Sequence, residues 1–488
     1  MVTSKLFTKS ILNNKKIRIY WFVLLAVLAL TPYLFTILFS PISLDSSYYL
    51  SVVERIREGL IPYRNFSLGY TPVLFYLTAI FKNVFSTGIN YGYDLGFHFC
   101  FQILISYLLY KIAFELFKRK DYSYYVAIFN LLISYWIVQY EFILEIPSLM
   151  WGFLAIYLAM KYKGKTTLFI LTGSIASLSF LTKQYGFGFF FLIIYLIIFN
   201  QNRWKQLFYF LIGYSIPVIL LVICLHEITN VFFGNGYGNQ EFDKSTGLVL
   251  VGVLKRLGDA GIYFLYRVPV LLYAIALFSF IPVKQRIYAG LLLFGIAGFM
   301  LQFVFAGFNH YMLYIIPFVS LYVFMVLTNI KKNKIIFGTY VFILFVVFAF
   351  SILKNYNRAL SFDHNSRDKQ FLLAEKIKKL MEPGKSLYIS DVRLVDLYYP
   401  INVKPTNMSY SFGYSLSEKI HFKQIHDADY ILTYEIPDTL NFNYLNSIRI
   451  KNYLKEIPDK TIVEKQLLYD NILKKNFESK IILYKNKH

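Results

Sequence analysis

Between residues 19 and 353 the chain repeats one pattern: an apolar run of about twenty residues, then a short polar or basic turn. A helix rises about 1.5 Å per residue and the hydrocarbon core of a bilayer is about 30 Å thick, so each run is long enough to cross. Backbone groups inside a bilayer must be satisfied within the segment, which makes the runs helices. The chain is 57% hydrophobic and 20% aromatic, with mean hydropathy +0.49, and this excludes the several soluble domains that 488 residues would otherwise allow. The expected fold is mainly α: a polytopic transmembrane bundle of about eleven to thirteen spans. The net charge of +22 has the sign of a nucleic-acid binder. Its excess sits in short clusters between apolar runs, where membrane topology accounts for it, so no nucleic-acid partner is expected. Cys100 and Cys224 lie inside apolar runs and are expected to be buried free thiols. The first run, 19–40, is too long for a signal-peptide core and reads as a retained span.

Lys5, Lys9, Lys15, Lys16 and Arg18 precede that run, so the amino terminus is expected to be cytoplasmic. The spans read 19–40, 95–117, 122–140, 146–160, 166–182, 185–200, 207–225, 262–281, 287–305, 311–328 and 335–353. Under this reading the clusters at 118–120, 161–165, 203–205, 284–286 and 331–334 all face the cytoplasm, while the short outer turns after the third and ninth spans lack Lys and Arg. Residues 41–94 form a long outer segment with two interfacial helices, near 46–58 and 72–85. Residues 226–260 are a second outer stretch. Gly234, Gly236 and Gly238 within it imitate a phosphate loop only superficially, because no strand precedes them and no Gly-Lys-Ser/Thr follows. The transmembrane part is taken as 1–353. Residues 354–488 have mixed charge and no spanning run. There DKQFLLAEKIKKLM reads as an amphipathic helix, and SLYISD, DADYILTYE and KIILYKN as strands. A small α/β domain on the outer face is expected.

On this topology Asp45, Arg64, Glu141, Glu145, Lys183, Gln184, His310 and Tyr311 fall at outer ends of spans or in outer segments, and the span middles are almost free of ionisable groups. Proton and ion pathways need such groups near the midplane. The pattern instead describes a cavity open at one membrane face and suited to group transfer from a lipid phosphate. A carboxylate can take the proton of an attacking hydroxyl, and cations can stabilise the departing phosphate. Asp45 fits the base, Arg64, Lys183, His310 and Tyr311 fit the phosphate side, and Glu145 can orient the acceptor or share the base role. Plainer readings stand beside these. Asp45 can be a solvated span end, and Glu145, two residues before Pro147, an acid favoured at a helix start. Glu141 reads as solvated, Arg64 as a partner of Glu54 or Glu58, and His310 and Tyr311 as interfacial anchors. Lys183 runs against the positive-inside trend, which favours function. No His/Cys/Asp cluster has metal spacing, so neither a divalent metal nor another cofactor is implied.

The order LDSSYYL, then GLIPYRNFSLGYTPVLFYL, resembles the first outer loop of the GT-C-type integral membrane glycosyltransferases. It is nearest the branch holding the protein O-mannosyltransferases and the lipid A aminoarabinose transferase. LEIPSLMWGFLAIYL, LSFLTKQYGFG and FNHYMLYIIPF follow in matching order, and a carboxy-terminal α/β domain completes the pattern. The resemblance implies inverting transfer of a sugar from a polyprenyl-phosphate donor to a lipid, glycan or protein acceptor at the outer face of the cytoplasmic membrane. It puts Asp45 at the family's first-loop acid and Glu145 at its second, with Tyr63, Arg64, Lys183, Gln184, His310 and Tyr311 on the donor-phosphate side. Ser46 stands where the mannosyltransferases have a second acid, and Thr71 where the lipid A branch has a basic residue. Two rival functions share this architecture: a flippase or transporter of lipid-linked glycans, and an oligosaccharide polymerase or ligase using a diphosphate-linked donor.

Overall fold

In the computed structural model the described residues are 15–66, 68–225, 258, 268–306, 309–363, 365–389, 392–402, 425–434, 453–454, 456–470 and 475–486. Gly234, Gly236 and Gly238 and the start of the span expected at 262–281 lie outside them.

The helices are α1 (Lys15–Phe39), α2 (Leu44–Arg57), α3 (Val73–Val84), α4 (Tyr91–Phe117), α5 (Lys120–Ile137), α6 (Glu145–Lys161), α7 (Phe169–Thr182), α8 (Gly188–Ile198) and α9 (Arg203–Cys224). They continue as α10 (Val270–Ala276), α11 (Val283–Ala306), α12 (Ile316–Asn329), α13 (Lys334–Leu360), α14 (Ser366–Leu380) and α15 (Tyr398–Ile401). Four segments among the described residues, Ile19–Phe39, Tyr91–Phe117, Arg203–Cys224 and Lys334–Leu360, are long and apolar enough to cross a membrane. The tight pair expected around TKQYG is present as Thr166–Thr182 and Gln184–Ile198.

Apolar side chains cover the outside of the bundle. Ile103, Leu104 and Tyr107 are exposed on α4, and Ile219, Leu220 and Ile223 on α9. Cys100 and Cys224 are free but exposed, not buried. Each falls on one of these apolar stripes at helical spacing, so its apolar setting is the surface that meets lipid rather than the interior. Helix α9 attaches to α7 by backbone contact. A Cβ added at Gly213 would lie 1.9 Å from the Ile170 carbonyl, and one at Gly173 2.2 Å from the Phe210 carbonyl. Small residues permit this approach in a setting where apolar burial alone gives little drive to associate.

Two of the expected elements, 46–58 and 72–85, appear as α2 and α3. Ser43 caps α2, its hydroxyl accepting from the Ser46 amide at 3.2 Å, with Asp45 in the first turn. The helix closes before Gly59, at φ +87°, a conformation that glycine adopts without strain. An interfacial helix would leave one face open, yet every residue of α2 from Ser46 to Arg55 is buried. The covering element is the carboxy-terminal part of the chain.

That part follows α13, which runs unbroken to Leu360. Strands β1 (Leu387–Ile389), β2 (Tyr430–Tyr434), β3 (Lys460–Asp470) and β4 (Lys475–Lys485) form a sheet of order β1-β2-β4-β3. β1 and β2 are parallel, and the other two pairings antiparallel. Alternation divides the faces. Leu387, Ile389, Leu432, Ile481 and Leu483 pack with Leu373, Ala374 and Ile377 of α14, while Tyr388, Ile431, Ile482 and Tyr484 pack with Ile425, Ala428 and Ile457. From this domain Tyr399 reaches into the core of the helical bundle, where it is 0% exposed.

Candidate active site

Five segments converge at the end of the bundle where α1 finishes. Asp45 is in the first turn of α2, and Glu145 is the first residue of α6. Lys183 is an extended residue (φ −151°, ψ 131°) between α7 and the 3-10 turn Gln184–Phe187. His310 and Tyr311 lie in the 3-10 turn Asn309–Tyr314, and Glu141 in the link from α5 to α6. The basic turns gather at the opposite helix ends, where Lys331 packs over the Tyr122 ring at 4.3 Å and Gln206 donates to the Lys163 carbonyl.

Glu145 Oε1 lies 3.2 Å from Lys183 Nζ and 3.6 Å from His310 Nε2. The first two side chains are fully buried and His310 is largely so. Lys183 Nζ also sits 4.2 Å from the centre of the Tyr70 ring and 5.3 Å from that of Tyr311, contacts an ammonium favours when desolvated. Tyr185 packs edge-on against Tyr311, ring centroids 4.4 Å apart. A lysine that sequence patterning marks as out of place is thus held by one carboxylate and two aromatic faces. The Glu145 carboxylate is not solvated at a helix start; it is buried against the Lys183 ammonium and the His310 ring.

Asp45 is half-buried. Burial pushes its carboxyl above the usual range, His310 opposes this, Glu145 adds to it and Lys183 opposes it. Glu141 is likewise half-buried rather than free in solvent. Burial first, then the Asp45 charge, pushes its carboxyl up to about 8, so at neutral pH it keeps its proton. The link carrying Glu141 is pinned on both sides. The Phe142 amide donates to Ser46 Oγ at 3.0 Å, and Tyr91 OH donates to the same oxygen at 3.0 Å. His98 bridges Tyr140 OH (3.0 Å) and the Ile143 carbonyl (2.7 Å). Neither Glu141 nor His98 stands out in the sequence: one reads as a solvated acid, the other as a lone histidine in an apolar run.

Tyr63 and Gln184 border the cluster. Tyr63 is left-handed (φ 67°); its amide donates to the Phe66 carbonyl at 2.7 Å and its hydroxyl to the Tyr70 carbonyl at 2.5 Å. It therefore fixes the residue whose ring covers Lys183. Gln184 Nε2 donates to the Gly69 carbonyl at 3.4 Å. Arg64 is exposed at the tip of the 59–66 turn, outside the buried set. Of the two acids named as its possible partners, Glu58 lies 2.6 Å from Arg55 and Glu54 2.7 Å from Arg57; neither contact excludes Arg64. Among the described residues no group of three or more His, Cys, Asp or Glu side chains is placed to hold a metal ion.

No family model matches the sequence, and no curated protein matches it significantly. Solved structures do. The crystal structure of ArnT from Cupriavidus metallidurans bound to undecaprenyl phosphate aligns with a TM-score of 0.63 at 11% identity, covering 95% of this chain and 98% of that one. The apo state of the same protein aligns at 0.58 and 12% identity, covering 95% and 97%. The chain thus has the fold of ArnT along almost its whole length.

Proposed function

We propose that the chain is a GT-C glycosyltransferase of the cytoplasmic membrane, which moves a sugar from a polyprenyl-phosphate donor to a lipid, glycan or protein hydroxyl at the outer face. The observation that carries this is the meeting of Asp45, its carboxyl raised, with the buried Glu145–Lys183 pair and His310. They meet in a fold of which one solved structure, that of ArnT, holds undecaprenyl phosphate.

Each group has a role. The Asp45 carboxylate takes the proton of the acceptor hydroxyl as that oxygen attacks the anomeric carbon. The bond from that carbon to the phosphate oxygen breaks, and attack from the opposite side inverts the centre. The phosphate leaves with its electron pair. The Lys183 ammonium and the His310 ring N–H stabilise that charge in a largely buried site, where fixed donors act strongly. Glu145 holds Lys183 in place and limits the net positive charge before donor arrives. Tyr63 and Gln184 keep the 63–70 segment against Lys183, and Arg64 meets the donor phosphate from the rim.

The test uses the purified chain in vesicles with polyprenyl-monophosphate and polyprenyl-diphosphate sugars. Transfer from the monophosphate, lost in Asp45→Asn with the fold intact, is expected, and Lys183→Ala is expected to raise the apparent donor KM. Transfer only from a diphosphate donor, or lipid-linked sugar moved across the vesicle without transfer, overturns the proposal. So does an active Asp45→Asn.

A further inference from the structure

The stretch that carries Asp45 is held on both sides by residues more than three hundred positions away, in addition to the nearer bonds at Ser46. Arg367 donates to three carbonyls at the end of α1: Ser40 at 2.8 Å, Ile37 at 3.0 Å and Thr36 at 3.3 Å. Gln370 makes a two-way bond with one residue. Its Oε1 accepts from the Ile42 amide at 2.8 Å, and its Nε2 donates to the Ile42 carbonyl at 3.1 Å. Asp396 Oδ2, at 2.5 Å from the same Nε2, fixes which way that amide points. Beyond Asp45, the Tyr399 amide donates to Ser47 Oγ at 3.0 Å.

Tyr399 is anchored in turn. Its hydroxyl accepts from Lys82 Nζ at 2.9 Å and from the Asn90 amide at 3.0 Å, and donates to Asp94. Lys82 Nζ also contacts Glu54, on α2 itself, at 2.8 Å, and Asp94 at 3.0 Å. The first turn of a helix has amides without intrahelical acceptors, and the residues before it have no helical bonds to fix them. The backbone before Asp45 is therefore positioned by Gln370 at Ile42, and the turn after it by the residue-399 peptide at Ser47 together with Phe142 and Tyr91 at Ser46.

We infer that the carboxy-terminal domain is a working part of the catalytic site: Gln370, and the Tyr399 peptide bonded to Ser47, are positioning elements that set where the Asp45 carboxylate stands relative to Lys183 and the acceptor hydroxyl. The inference rests on the proposed transfer reaction for its effect on rate, but its structural half stands apart from it. Misplacing a reacting group by about 1 Å costs about a hundredfold in rate.

Gln370→Leu has similar volume and cannot make the bonds to Ile42. In the full-length chain it is expected to lower kcat about 10- to 100-fold. The apparent donor KM should stay within about twofold, because Lys183 and Tyr70 are untouched. Hydrogen exchange should rise at 41–48 and nowhere else in the bundle. Ser47→Ala, which removes the acceptor of the Tyr399 amide, is a second and milder variant with the same kcat-only pattern. Lys385→Ala breaks the exposed Lys385–Asp429 pair of the same domain and should change nothing. Unchanged exchange at 41–48 in Gln370→Leu overturns the inference, whatever the chain transfers. Raised exchange with unaltered kcat overturns it as well, as does a loss appearing only in KM. A wild type that transfers nothing sinks the functional reading alone, and exchange then decides the positioning.

Discussion

Replacing Lys82 with Met tests the box that holds the two parts of the chain together. Lys82 is completely buried, 2.8 Å from Glu54 and 3.0 Å from Asp94, whose side chains are 6% and 1% exposed. At an effective dielectric of about 20, each contact is worth roughly 6 kcal/mol before desolvation. Desolvation takes back several kcal/mol for each ion, so the intact box contributes little net stability. Removing the cation is another matter, since two buried carboxylates then lose their common partner and the Tyr399 hydroxyl loses a donor. The expected cost is about 3–5 kcal/mol, read by reversible unfolding of the detergent-solubilised chain in a denaturant titration. Asp94→Asn added to Lys82→Met removes one stranded charge and should restore part of that loss. A loss below about 1 kcal/mol, or a double variant whose cost equals the sum of the singles within about 0.5 kcal/mol, would refute the reasoning.

Two further outcomes follow from the geometry. The Glu141 carboxyl is raised to about 8, so the folded chain holds that proton at neutral pH. The raised value favours the folded state most at low pH, and the benefit is lost as pH rises through about 8. The melting temperature of wild type should therefore fall between pH 7 and 9 more than that of Glu141→Gln, and parallel profiles would show that Glu141 is not buried beside Asp45. Gly213→Val drives a side chain into the Ile170 backbone, 1.9 Å from where its Cβ must stand. A loss of at least about 1–3 kcal/mol is expected, and an unaltered denaturation midpoint would mean that α7 and α9 do not touch this way.

What the sequence made legible depended on how local each signal was. The ends of α2 and α3 fall within a few residues of expectation, because a serine cap, Gly59 and Pro72 act on their immediate neighbours. The turns holding Asp45, Glu145, Lys183 and His310 could be placed at one end of the bundle because charge and apolar length alternate along the chain. Burial was not legible. Glu141 reads as solvated since nothing near it in sequence shows that Phe142 bonds Ser46, 96 positions away. Lys82, near the end of a short amphipathic helix, reads as a solvated cation because its phenolic partner is 317 positions on. The cysteines misled for the reverse reason: an apolar run says that a residue leaves water, not whether protein or lipid receives it. The same limit explains α2, expected to lie open on one side and in fact covered.

The bonds around residue 42 also bear on when the molecule becomes complete during its synthesis. Gln370 meets Ile42 across 328 positions, and the residue-399 amide meets Ser47 across 352. A ribosome that has delivered every span through Leu360 has still not supplied either partner. A nascent chain at that stage already carries Asp45, Glu145, Lys183 and His310, and Ser46 has its bonds to Phe142 and Tyr91, but Ile42 and Ser47 still lack their partners. Completion of this part of the structure is thereby tied to the translation of residues 370–399, and a chain released before them would lack both sets of bonds.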